Sequence, residues 1–150
     1  MNRVSNDRDF RTALDHLEGK QQRWVAARFV ESVLSLYPDA RITRVVWVAA
    51  DPDADDSALA EALRVARAAA LECHARCGAE GDWLEQVGYF VARAAVAALT
   101  PRCQLPGGVA WQAAMSSRMA QAAKAIVGAE ETAGQERENQ YRILAEFLDA

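Results

Sequence analysis

The sequence predicts an all-α fold, a single compact helical bundle of six to seven helices spanning residues 1–150. Three observations carry that prediction. Alanine, the best intrinsic helix former, supplies 32 of the 150 residues, and there are only four prolines. Between the Gly and Pro breakers, apolar residues recur three and four positions apart, the spacing of one helix face. The one segment that also reads as a strand, Arg41 to Ala50, has no second strand to pair with, so its backbone groups would be orphaned in a sheet.

Each element then follows in order. Ser5 and Asn6 are good N-cap types ahead of a helix over residues 7–18, in which Phe10, Leu14 and Leu17 share a face before Gly19. From Lys20 to Tyr37, the residues Trp24, Ala27, Val30, Val33, Leu34 and Tyr37 make a stripe that Pro38 stops, which predicts a helix of about five turns. Ile42, Val45, Val46 and Ala49 set the face of a third helix. Asp51 to Asp56 is an acidic turn whose negative charge suits the N-terminus of the next helix, about Ser57 to Cys77, with Gly78 as a left-handed C-cap. Asp82 with Glu85 resembles a capping box for a helix through Val87, Val91 and Ala98 to Thr100. After the Pro- and Gly-rich loop 101–108, a stripe from Trp111 to Ile126 ends at Gly128, and a last helix runs roughly from Gln135 to Leu148. The alanine faces predict close helix approach, with the four tryptophans filling wider spaces near helix ends.

Composition excludes several classes of function. A net charge of −4 and a pI near 5.2 argue against binding nucleic acid or anionic lipid through phosphates. No apolar run approaches the ~20 residues that span a bilayer, and the first ten residues lack a signal-peptide core, so a cytoplasmic protein with no membrane partner is expected. Three cysteines without an export signal are expected to stay reduced.

Candidate chemistry is sparse. Cys73, His74, Cys77 and Cys103 could in principle hold a metal, but the spacing is wrong for a zinc knuckle, and His74 points about 100° away from Cys73 on a helix. The preferred reading makes Cys73 and Cys77 small buried apolar residues. Asp51, Asp53 and Asp55 open like a calcium loop, yet Asp56 stands where glycine is needed and Ala62 where a bidentate Glu is required. Arg93 and Arg118 sit in apolar or small-residue surroundings and need partners. Glu31, Glu72 or Glu85 could supply carboxylates, or one arginine could face a cleft and bind an anionic ligand. There is no nucleophile elbow, phosphate loop, dinucleotide fingerprint or His-Glu-x-x-His, so neither catalysis nor a cofactor is expected.

The sequence therefore favours a non-catalytic interaction protein, an adaptor, inhibitor or immunity-like protein, binding another protein or a second copy of itself. The alternative is a small-ligand or metal-binding bundle using the cysteine region or Arg93 and Arg118. In arginine-alanine helical texture, the stretch Trp24 to Val127 resembles the all-helical bacterial putative immunity proteins, a likeness of composition that rests on no motif. The terminal helix offers the candidate partner face, since Tyr141, Ile143 and Phe147, with Leu144 and Leu148, are too broad for one stripe.

Overall fold

A computed structural model describes residues 4–80, 83–101, 107–126 and 133–150. Among them are seven α-helices and one 3-10 turn, packed as an all-α bundle. The helices are α1 (Asp7–Asp15), α2 (Gly19–Glu31), α3 (Ala40–Ala50), α4 (Asp56–Glu80), α5 (Trp83–Leu99), α6 (Val109–Ile126) and α7 (Ala133–Leu148). The segment Ile42 to Val48 is helical, as the lack of a partner strand requires. Asp82, Cys103 and Gly128 lie outside the described residues.

Local side chains fix the starts of these helices. Asn6 Oδ1 accepts from the Asp9 N–H at 2.9 Å, Asp39 Oδ1 from Arg41 N–H at 2.9 Å, and Asp55 Oδ1 from Ala58 N–H at 2.7 Å, each satisfying a donor that the first turn leaves open. Glu18 and Gln21 form a reciprocal capping box at α2. The end of α3 is closed from outside itself: Arg23, on α2, donates to the carbonyls of Ala49 and Asp51 at 3.0 Å each.

Two helices end earlier than periodicity predicts. α1 stops at Asp15, where the His16 ring bonds the Thr12 carbonyl at 2.7 Å, yet Leu17 remains buried. α2 stops at Glu31. Ser32 Oγ donates to the Phe29 carbonyl at 2.7 Å, and the chain tightens into the 3-10 turn Leu34–Leu36. Val33 stays buried, which is why an i, i+3 stripe reads through the break. α4 errs the other way, running through Gly78, which is helical and not a left-handed cap, to Glu80.

The core lies along α5, between α4 and α6. Its walls are largely alanine: Ala92, Ala94, Ala95 and Ala98 on α5 face Ala66 and Ala69 on α4 and Ala110, Ala113 and Ala114 on α6, all buried. Small side chains let these axes approach closely. The larger volume is filled at one end by Phe10, whose ring lies 5.7 Å from Phe29, 6.1 Å from Trp111 and 5.3 Å from Tyr141, joining α1, α2, α6 and α7. Gln22 is the polar clamp of that end. Its side chain donates to the Leu14 carbonyl and accepts from Ala110 N–H at 3.1 Å.

Candidate functional site

Arg118 is a structural residue. Its guanidinium, 12% exposed, grips both Asp7 oxygens at 2.9 and 3.1 Å and donates from Nε to Gln140 Oε1 at 2.8 Å. The Phe10 and Tyr141 rings flank it, and Tyr141 Oη donates to Asp7 Oδ1 at 2.7 Å. The Arg118 hydrogen bond holds the Asp7 carboxyl below the usual carboxylate range, against the opposing effect of burial. The partner is thus Asp7, not Glu31, Glu72 or Glu85, and the arrangement ties α1, α6 and α7 together. Next to it, the buried Glu136 carboxyl lies 2.7 Å from Ser32 Oγ, whose one proton it shares with the Phe29 carbonyl, and Gln140 donates to the Ala114 carbonyl at 2.9 Å.

Arg93 lies exposed over the Tyr89 ring, donating to Tyr89 Oη at 3.3 Å. It lines none of the three hollows between α3 and α4, on the other flank of α4 and beside α7. Glu72 and Glu85 serve a different chain of charges, which straps α3, α4 and α5 across the surface. Arg41 pairs with Asp39 at 3.0 Å and Glu72 at 2.7 Å, Arg76 with Glu72 at 2.6 Å, and Tyr37 Oη donates to Glu85 at 2.8 Å.

Cys73 is buried beside Tyr37, and burial raises its thiol pKa above the ordinary value. A protonated thiol is a poor ligand and a poor nucleophile. His74 lies exposed against the Tyr89 ring at 4.9 Å, on a different side of α4 from Cys73, and Cys103 lies outside the described residues. Among the described residues no three His, Cys, Asp or Glu side chains converge as metal ligands.

The terminal helix presents less than its sequence offers. Tyr141 and Ile143 are each 5% exposed, and Phe147 packs on Trp24 of α2 with ring centroids 5.3 Å apart. The broad apolar face has two contacts, as expected, but both are inside the bundle: α1 and α6 cover one side and α2 the other. Tyr141 and Ile143 therefore offer little surface, although Ile143 reaches a hollow of about 230 Å³ that it lines with Arg28, Glu31, Ser32, Asn139 and Arg142.

The exposed apolar surface is elsewhere. Trp47, in the middle of α3, is 68% exposed, so the tryptophans do not all fill interior space; Trp83 is exposed as well. On the Val48 side of α3, next along the chain from Trp47, α3 and α4 enclose a groove of about 340 Å³ that Trp47 itself does not line. Val45 and Val48 from α3 and Ala58, Ala62 and Val65 from α4 form its walls, and Arg41, Arg44 and Glu61 stand at its rim. Arg44 is exposed and has no ion pair among the described residues, whereas Arg41 and Glu61 are committed to Glu72 and Arg64. A larger hollow of about 580 Å³ lies on the other flank of α4, but the Arg23 guanidinium at its edge is committed to the end of α3.

The sequence did carry a signal for Trp47. The stripe Ile42, Val45, Val46 and Ala49 fixes the inner face of α3, and Trp47 falls about 100° beyond Val46 on the helix wheel, outside that stripe. Compared with known proteins, the chain matches no family model, no curated protein and no solved structure.

Proposed function

We propose that the protein is a non-catalytic cytoplasmic binding protein that works by covering the outer face of α3 with another protein surface. The observation that carries this reading is Trp47, a tryptophan left two-thirds in water in the middle of the helix that forms one wall of an apolar groove. Large aromatic side chains are the residue type that most often anchors protein interfaces, and a neighbouring groove gives a partner's apolar side chains somewhere to go. The remaining polar groups support a binding role over catalysis. Arg118, Asp7, Tyr37 and Glu85 are bonded to one another inside the structure, which leaves them as struts between helices. The free thiols Cys73 and Cys77 suit a reducing compartment.

A photoreactive amino acid placed at position 47 in the protein's native cell tests this. The expected result is a discrete protein adduct that is missing when the same probe replaces the exposed Arg142 on α7. Equal, diffuse labelling from both positions contradicts the reading.

A further inference from the structure

The α3 face is complementary to itself. Arg44 and Trp47 lie on the outer side of α3, at i and i+3, Asp51 is the extended residue that caps the helix's C-terminal end, and Val48 lines the groove. Positive charge therefore lies on the N-terminal side of the tryptophan and negative charge on the C-terminal side. Arg44 has no ion pair among the described residues, and neither has the Asp51 carboxylate, whose Oδ1 accepts only the Asp53 N–H of its own turn, at 2.9 Å.

We infer that the partner of this face is a second copy of the same chain, joined by an antiparallel crossing of the two α3 helices about a twofold axis. The inference rests on the proposed binding role of Trp47 and adds the identity of its partner. Placing the axis between positions 47 and 48 pairs residues whose numbers sum alike. Each Trp47 then meets the other copy's Val48 at the mouth of its groove, and each Arg44 stands opposite the other copy's Asp51. One crossing thus brings together both unpaired charges twice over and covers both tryptophans. A parallel crossing would instead set Arg44 against Arg44 and Asp51 against Asp51, so the charges select the antiparallel one. An α3 of 11 residues, about 16 Å long, covers less than the ~800 Å² per partner of a standard interface, so the dimer dissociates on dilution.

Sedimentation of the parent protein across a dilution series, combined with charge exchange, tests this. The parent is expected to pass from dimer to monomer on dilution, and Trp47→Ala to weaken the dimer about tenfold or more, because twofold symmetry removes two anchors at once. Arg44→Glu and Asp51→Lys should each be monomeric alone, and their equimolar mixture should dimerise, since only the mixed pair restores both opposite-charge contacts. If Asp51→Lys does not fold, as judged by its circular dichroism, added salt takes its place: it should weaken the parent dimer and relieve the defect of Arg44→Glu. A parent that is monomeric throughout, or a dimer indifferent to Trp47→Ala and to charge exchange, overturns the inference. A monomer whose position 47 still forms an adduct with a different protein overturns the self-pairing while leaving the binding role of α3 standing; loss of both removes both.

Discussion

Asp7 shows how a single residue near the chain's start can hold distant helices. Its carboxylate receives both terminal nitrogens of Arg118 and the hydroxyl of Tyr141, so one side chain bridges α1 to α6 and α7. Because its folded-state pKa is lowered, chiefly by the Arg118 hydrogen bond, Asp7 contributes stability that is fully present above its unfolded pKa and is lost as pH falls through the lower folded value. Asp7→Asn should therefore cost roughly 1 kcal/mol at neutral pH, nearer to a surface pair than to a buried one because Asp7 is half-exposed. Urea unfolding of the two proteins checks this, and the gap between them should close as the solution is made acid enough to protonate Asp7 in the parent. A gap that persists unchanged in acid would show that the carboxylate is not its source. This partner was beyond the reach of the sequence. Arg118 reads as needing a carboxylate, but choosing one 111 positions away over nearer glutamates requires knowing that α1 folds back across α6.

At the scale of elements, most boundaries were legible because they rest on local chemistry. Asn6, the Asp51–Asp56 turn, Pro101 and Gly108 act within a turn of themselves, and helices start or stop there. The end of α2 was not legible, because Ser32 and the 3-10 turn keep the spacing of apolar residues while changing the hydrogen bonds that hold them. Tertiary packing also decides the role of Gly88, a buried glycine inside α5. A Cβ there would lie 2.7 Å from the Tyr37 ring, and the ring cannot swing freely because its hydroxyl is held by Glu85. Gly88→Ala should thus destabilise the protein, overpacking of about 1–3 kcal/mol outweighing the ~1 kcal/mol that alanine offers a helix. At Gly19 no atom lies within 4 Å of the added methyl, and Gly19→Ala should raise stability by about 0.4–1 kcal/mol. Thermal unfolding of both variants measures the contrast. Equal effects of the same sign would mean that helix propensity, not Tyr37, decides the outcome at residue 88.

For the molecule as a whole, inside and outside are divided unevenly. Alanine faces along α4, α5 and α6 close the core, and the broad apolar side of α7 is absorbed between α1, α2 and α6, leaving Tyr141 and Ile143 little outer surface. The sequence shows that α7 has two apolar contacts but not that both are internal, since that depends on where the neighbouring helices run. The α3–α4 groove was illegible for the same reason: its walls come from two helices and exist only at their crossing. Trp47 alone was readable, as the large residue that the inner stripe of α3 leaves out. That residue also gives the most direct test of the functional account. Acrylamide quenching of the Trp47 emission, isolated as the difference between the parent and Trp47→Phe, reports whether the side chain is in water. As protein concentration rises, the account predicts that this component shifts to the blue and becomes shielded from quencher, while Arg44→Glu keeps it exposed. A Trp47 signal that stays equally quenchable at every concentration in the parent would contradict the claim that a second copy of this chain covers α3.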